Sequence, residues 1–186
     1  MTTRSTLALV GARCSGKSSV GRKVAERLGR PWMDLDEEVL PLGRRAGFPA
    51  ATTGELLTKA GIALFRELEA AALRRVLEPS LRVVLATGGG VVEREDNRVW
   101  LARSAFTVFL SVPVEVLKAR LRADPTPRPP LLGGGDAEAE LSELLARREP
   151  LYRGCADVVI ECGDAPADEV AERVVAALSE ELRRSA

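Results

Sequence analysis

The sequence predicts an α/β fold in which a parallel β-sheet is covered by helices on both faces. Short apolar runs rich in β-branched residues alternate along the chain with longer segments of helical periodicity, and this alternation is typical of parallel sheets. The 186 residues are 46% hydrophobic, with no internal repeat or linker that would divide them. We therefore expect one domain, spanning residues 1–186, with a substantial core.

The first half of the chain predicts three strands and the helices between them. Apolar periodicity predicts a helix over Ser18–Leu28, and Gly29 ends it. Residues 37–61 predict short helices broken by glycine and proline, and "ALFRELEAAALRRVLE" predicts a long one. The three strands are predicted at Thr6–Val10, Trp32–Asp34 and Leu81–Ala86.

The second half predicts two further strands and a long loop. The strands are Phe106–Leu110 and Val158–Ile160, and the helices lie near 96–103, 113–122, 137–149 and 167–182. The stretch 122–138, "RADPTPRPPLLGGGDAE", is rich in proline and glycine and predicts a loop of functional length. Since ligands of such sheets bind beyond the carboxyl ends of the strands, the loops there are the candidates for a site.

Composition excludes several classes of function. The 27 basic and 27 acidic residues balance, which argues against nucleic-acid or membrane-surface binding driven by bulk charge. No apolar run approaches the ~20 residues of a membrane span, and the first residues do not resemble a secretion signal. Three cysteines without metal-ligand spacing and the absence of histidine argue against structural zinc. Reduced thiols in the cytoplasm are the expectation.

The run "GARCSGKS" fits the phosphate-loop pattern G-x-x-x-x-G-K-[ST] between a predicted strand and a predicted helix. Lys17 would reach the β- and γ-phosphates of a nucleotide, and the Ser18 hydroxyl would ligate Mg²⁺. A Cβ at Cys14 is tolerable only with a negative φ, so the sequence leaves the conformation of the loop open at this position. The predicted nucleotide contacts are Gly11, Ala12, Arg13, Cys14, Ser15, Gly16, Lys17, Ser18 and Ser19.

A carboxylate for the metal is expected in "MDLDEE", because the later strand "LRVVLATGGG" ends in threonine and glycines. In an extended segment Asp34 and Asp36 would point the same way, so that one could take the metal and the other a substrate hydroxyl. Asp36 could equally be a helix N-cap, with Glu37 and Glu38 in the first turn. Spacing alone leaves both interpretations open.

Six segments in order, "GARCSGKS", "DLD", "FRELE", "TGGG", "RPPLL" and "RREPLY", resemble the shikimate kinases over residues 5 to 178. The resemblance implies a phosphate-loop kinase fold of three α/β/α layers, with a five-stranded parallel sheet and a closing lid near 122–138. It implies transfer of a phosphoryl group from ATP to the 3-hydroxyl of shikimate, with Mg²⁺ as cofactor. The substrate-binding region would span approximately 34–70.

The resemblance also assigns roles to residues. Asp34 would lie near the metal, and Asp36 would bind the ring hydroxyls and accept the 3-hydroxyl proton. Arg128 would move onto the transferring phosphate, while Arg122, or in an equally plausible register Arg120, would stack on adenine. The acceptor would be bound by Asp36, Arg66, Gly88, Gly89, Gly90 and Arg148, with Glu69 as an acidic support.

These roles agree with elementary chemistry, since guanidinium groups bind carboxylates in a bidentate manner and glycines allow close backbone approach. Two alternatives stay open at this point. One is another small-molecule kinase of this fold, acting on gluconate or a nucleoside monophosphate. The other is a non-catalytic protein that binds the same ligands. We expect a cytoplasmic monomer that binds neither nucleic acid nor membrane.

Overall fold

The computed structural model describes residues 4–124 and 136–184, and its centre is a five-stranded parallel sheet. The predicted α/β class is confirmed. The spatial order of the strands is β2-β3-β1-β4-β5. The strands are β1 (Thr6–Val10), β2 (Trp32–Asp34), β3 (Val84–Ala86), β4 (Ala105–Ser111) and β5 (Val158–Glu161).

The central strand β1 is buried along its whole length. It pairs on one side with β3 and on the other with β4, so that Leu7 lies opposite both Val84 and Phe106. All the pairings are parallel, and the loops after β1, β2 and β3 therefore meet at one edge of the sheet.

Seven helices in the described residues cover the two faces of the sheet. One apolar core lies between the sheet and helices α2, α3, α4 and α6, and the other is formed mainly with α1, α5 and α7. The helices are α1 (Lys17–Leu28), α2 (Leu35–Arg45), α3 (Thr53–Leu77), α4 (Glu95–Ser104), α5 (Val114–Ala123), α6 (Ala137–Cys155) and α7 (Ala167–Arg184).

Glycine and proline separate the helices of the region 37–61 as predicted, because Gly47 and Pro49 lie in the break between α2 and α3. Gly61 has a non-helical backbone (φ 77°) and kinks α3. By contrast, Pro41 lies inside α2 and Pro150 inside α6. The predicted end of a helix near residue 149 is wrong, because the buried Tyr152 and Cys155 hold the next turn against the core. Tertiary packing there outweighs the loss of one backbone hydrogen bond.

The predicted long loop 122–138 overlaps residues 125–135, which are outside the described residues. Arg128 is among them, and its predicted role stays a prediction. Over residues 4–124 and 136–184, none of the helices combines the length and the apolar character that crossing a bilayer requires.

Candidate active site

The glycine-rich loop joins β1 to the first turn of α1, the context that its motif requires. Gly11 (φ 153°) and Gly16 (φ 89°) both have positive φ. A Cβ on Gly11 would lie 2.9 Å from the Leu110 carbonyl and 2.9 Å from Ser15 Oγ, so both space and backbone select glycine there. The loop therefore closes tightly beside the N-terminal end of a helix, an arrangement suited to phosphate.

Cys14 has a φ of 63°, so the structure does not meet the condition that a Cβ at this position needs a negative φ. Its backbone is in the left-handed region that usually costs a residue with a Cβ about 1–2 kcal/mol. Two contacts offset this cost. The Cys14 carbonyl accepts a hydrogen bond from Arg120 Nη1 (3.3 Å), and the thiol packs against an apolar cluster.

Lys17 and Ser18, at the end of the loop, are held by different partners: the start of the loop for Lys17 and β2 for Ser18. Lys17 is 9% exposed, and its Nζ donates to the carbonyls of Gly11 (2.9 Å) and Ala12 (2.7 Å). The Ser18 hydroxyl donates to Asp34 Oδ2 at 2.9 Å. The loop and the end of β2 thus bring a hydroxyl and a carboxylate together.

The two aspartates of "DLD" face different parts of the site, because α2 begins between them. Asp34 ends β2 and is the N-cap of α2, where its Oδ1 accepts from the backbone N–H of Asp36 (3.0 Å). The capping role considered for Asp36 therefore belongs to Asp34. Asp36 lies in the first helical turn, with Thr53 Oγ1 at 3.4 Å from its Oδ2. The extended geometry assumed from sequence is wrong.

A cavity of about 290 Å³ lies beyond the carboxyl ends of the strands, and all six predicted acceptor residues line it. Its apolar wall includes Leu57, Phe65 and leucines of α6. Its polar wall includes Arg13, Asp36, Thr53, Arg66, Glu69, Gly88, Gly89, Gly90, Glu140 and Arg148. Segments distant in sequence thereby combine charged and apolar surface, as small-molecule sites commonly do.

Two arginines of this wall are held by two glutamates. Arg66 Nη1 lies 2.8 Å from Glu69 Oε2, and Arg66 Nη2 lies 3.0 Å from Glu93 Oε2. Arg148 Nη2 lies 3.1 Å from Glu93 Oε1. Arg148 is 5% exposed and the Arg66 side chain is 12% exposed, so neither arginine is a solvated surface residue of its helix.

Burial and the neighbouring arginines shift the pKa values of Glu69 and Glu93 in opposite directions. Burial raises the pKa of Glu69 above its ordinary value, and Arg66 only partly opposes the shift. Burial also favours the neutral form of Glu93, but Arg148 and Arg66 together outweigh it and hold the pKa of Glu93 below its ordinary value. Glu93 is therefore the firmly ionised partner of the arginine pair.

Sequence reasoning missed Glu93 and Tyr152. Tyr152 is fully buried, stacks on Phe109 with ring centroids 5.0 Å apart, and its hydroxyl donates to the Gly89 carbonyl. Burial raises the pKa of the Tyr152 hydroxyl above its ordinary value. The position of Tyr152 at the end of "RREPLY" was a signal for it, whereas Glu93 has no motif or periodicity that distinguishes it.

The three glycines after β3 are required by their neighbours rather than by loop flexibility. A Cβ on Gly90 would collide with the guanidinium of Arg66, and one on Gly88 would lie 2.6 Å from Glu69 Oε1. Gly89 approaches the phosphate loop, where its Cβ would lie 3.4 Å from the Arg13 backbone nitrogen. The charged wall therefore packs directly on bare backbone.

A second cavity lies against the other side of the phosphate loop. Cys14, Gly16 and Ser19 line it together with Arg120. The two arginines considered for adenine stacking differ in position. Arg120 contacts the loop at Cys14, while Arg122 is 60% exposed and pairs with Glu138 at 2.8 Å.

Fold and site together define a phosphate-loop protein with an arginine-bearing cavity beside the loop. A family model described as "Shikimate kinase" matches residues 13–179. The chain is 44% identical over 173 residues to a shikimate kinase of Nitratidesulfovibrio vulgaris, covering 92% of this chain and 94% of that protein.

Solved structures of shikimate kinases are also similar to this chain. The shikimate kinase from Acinetobacter baumannii in complex with shikimate is similar with a TM-score of 0.84 at 34% identity, covering 97% of this chain and 96% of that one. The shikimate kinase from Aquifex aeolicus gives a TM-score of 0.76 at 30% identity over 95% of this chain and 98% of that one. The chain belongs to the shikimate kinase family.

Proposed function

We propose that this protein is a shikimate kinase, which transfers the γ-phosphoryl group of ATP to the 3-hydroxyl of shikimate in aromatic amino-acid (chorismate) biosynthesis. The observation that carries the proposal is the pair Arg66 and Arg148, both facing one cavity beside the phosphate loop. Membership of the family supports the same acceptor.

The acceptor cavity suits a small polyhydroxy acid. Arg66 and Arg148 bind the carboxylate, because guanidinium groups pair with carboxylates in a fixed geometry. Asp36, which lies on the same wall, accepts hydrogen bonds from the ring hydroxyls. Gly88, Gly89 and Gly90 let the ring approach the backbone closely.

The donor is bound by the phosphate loop. The backbone N–H groups of residues 11–19 and the helix N-terminus hold the phosphates, and Lys17 turns from its loop carbonyls toward the β- and γ-phosphates. Contact with Cys14 favours Arg120 over Arg122 as the arginine that stacks on adenine. Arg122 is instead exposed and pairs with Glu138 of α6.

The residues present fit Mg²⁺. Ser18 and Asp34 supply hard oxygen atoms within 2.9 Å of each other, and Mg²⁺ in kinases usually takes one or two protein ligands plus phosphates and water. Among the described residues no group of three His, Cys, Asp or Glu could hold a metal, and a site completed by substrate needs none. When bound, the ion neutralises charge on the phosphates.

Catalysis rests chiefly on positioning and electrostatics. Asp36 orients the 3-hydroxyl and receives its proton, while Lys17 stabilises charge on the transferring group. Arg128, outside the described residues, is predicted to add positive charge on closure and to exclude water. We further propose a cytoplasmic monomer without nucleic-acid or membrane partners.

The alternatives make different demands on the cavity. A nucleoside-monophosphate kinase needs arginines for a second phosphate and a pocket for the base, whereas Asp36 beside Arg66 suits a hydroxylated acid. Gluconate is the closer competitor, since it is also a polyhydroxy carboxylate. A non-catalytic ligand-binding protein would be expected to lack part of the machinery, yet Lys17, Ser18 and Asp34 are all present.

The test is release of ADP from ATP and Mg²⁺ with shikimate, gluconate and nucleoside monophosphates as acceptors. We expect turnover with shikimate, and a strong rise in its KM in Arg66→Ala and Arg148→Ala with little change in the KM for ATP. Arg75→Ala, an exposed arginine of the same helix as Arg66, is the control. Turnover only with another acceptor would contradict the proposal, and ligand binding without turnover would favour the non-catalytic alternative.

A further inference from the structure

Glu93 lies where the two arginines of the acceptor cavity converge. Its Oε2 is 3.0 Å from Arg66 Nη2, and its Oε1 is 3.1 Å from both Nε and Nη2 of Arg148. Arg147 also donates to Oε1 from the solvent side, where it is 52% exposed. One carboxylate thus joins helices α3 and α6 through the 3-10 turn Val91–Glu93.

The position of Glu93 relative to the cavity decides what this carboxylate can do. Of the described residues, those lining the cavity include both arginines and Glu69 but not Glu93. Glu93 therefore approaches the guanidinium groups from outside the space that a substrate would fill. It does not line the space that the substrate carboxylate would occupy, and each arginine has N–H groups beyond the two that the glutamates contact.

Two features make this arrangement rigid. The Arg66 guanidinium rests on the backbone of Gly90, where no Cβ would fit, and its Nη1 is held by the buried Glu69. Arg148 presents Nε and Nη2 to a single Glu93 oxygen, which fixes the plane of its guanidinium. Loss of the Glu93 charge would remove the carboxylate that Arg66 and Arg148 share and leave Arg66 paired with Glu69, so we expect both guanidinium groups to reorient.

We infer that Glu93 is a positioning residue for substrate recognition, which sets the orientation of Arg66 and Arg148 so that the pair can bind a carboxylate. The inference rests on the proposed function, because it assumes that a carboxylate acceptor binds at these arginines. Glu93 itself touches no reacting atom. Its contribution therefore appears in the binding of the acceptor rather than in the chemical step.

The variant Glu93→Gln keeps the shape of the side chain and removes its charge. We expect the KM for shikimate to rise about tenfold or more, with kcat at saturating shikimate and the KM for ATP within about twofold of the parent values. Glu95→Gln, which neutralises an exposed glutamate two residues later, is the matched control and should leave all three constants unchanged.

A neutral analogue separates positioning from a general structural effect. The methyl ester of shikimate has no negative charge for the arginines, so its Kd, measured by calorimetry, should be nearly the same for the parent and Glu93→Gln. An equal loss of affinity for shikimate and its ester would mean a distorted cavity and would overturn the inference. Tighter shikimate binding by the variant would also overturn it, since Glu93 would then be a competitor of the substrate.

The parent enzyme and the variant together separate failure of the proposed function from failure of the inference about Glu93. Absence of shikimate turnover by the parent enzyme would refute the proposed function, and the inference with it. Turnover by the parent with an unchanged shikimate KM in Glu93→Gln would refute the inference alone. If Glu93→Gln does not fold, Glu93→Asp retains the charge on a shorter side chain, and a rise in shikimate KM selective over ATP is still required.

Discussion

The substitution Gly90→Ala would test how closely the acceptor wall is packed. Gly90 has φ −96° and ψ 0°, a conformation open to alanine, so the backbone itself does not resist the change. The added Cβ would instead collide with the Arg66 guanidinium. Arg66 cannot shift freely, because Glu69 (2.8 Å) and Glu93 (3.0 Å) hold its two Nη atoms.

The magnitude follows from the contacts that must break. A hydrogen bond to a charged group contributes about 1.5–3 kcal/mol, and moving Arg66 removes at least one such bond to the substrate carboxylate. With partial loss of a second bond we expect about 2–4 kcal/mol, hence a rise in the shikimate KM of roughly 30-fold or more. The Arg66 side chain is long enough to bend aside once one of these bonds breaks, so the free energy of unfolding should fall by only about 1–3 kcal/mol.

The assay is steady-state ADP release with shikimate and ATP varied in turn, together with thermal unfolding. Gly154→Ala is the matched control, because the added Cβ on this helical glycine meets nothing within 4 Å. It should leave both KM values unchanged and stabilise the protein by about 0.5–1 kcal/mol. A shikimate KM for Gly90→Ala within twofold of the parent value would refute the placement of Arg66 against Gly90.

Three further predictions concern other parts of the molecule. Cys14→Gly removes a Cβ from a left-handed backbone (φ 63°) and should raise the free energy of unfolding by about 0.5–1 kcal/mol; an unchanged or lower thermal midpoint would contradict this. Asp34→Asn keeps a good N-cap but removes the carboxylate beside Ser18, so half-maximal activity should need more Mg²⁺ with the shikimate KM little changed; an unaltered Mg²⁺ titration would count against the assignment. Hydrogen bonds from Arg94 lower the pKa of Asp96 to about 2, so its stabilising contribution is complete above its ordinary pKa of 3.8 and is lost as the pH falls toward 2; Asp96→Asn should show a shallower loss of stability than the parent in urea titrations across that window, and equal slopes would refute it.

Local patterns in the sequence determined the elements of the fold well. The strands Thr6–Val10 and Trp32–Asp34 have the bounds that their apolar runs predict, and Gly29 ends its helix in a left-handed conformation. These features depend on residues close together in the chain. Where the prediction was wrong, at the end of the helix near residue 149, distant contacts of Tyr152 overrode the local effect of Pro150.

The phosphate loop could also be predicted, since its motif specifies both the chemistry and the local backbone. Its one unexpected feature is the positive φ of Cys14, whose carbonyl accepts a hydrogen bond from Arg120 of another helix. The different roles of the two aspartates in "DLD" also depend on contacts outside the motif. Whether Asp34 or Asp36 caps the helix depends on where β2 ends, and this depends on its pairing with β3.

The sequence by itself determined the α/β class, the phosphate loop and the residue types that suit a carboxylate acceptor. Only the tertiary structure decided how Arg66 and Arg148 are used, because it places Glu93 between them and Gly90 beneath one of them. The physical reason is the range of the interactions. Periodicity and capping act within a few residues, whereas a buried ion pair depends on side chains that approach only when α3, α6 and the turn after β3 pack together.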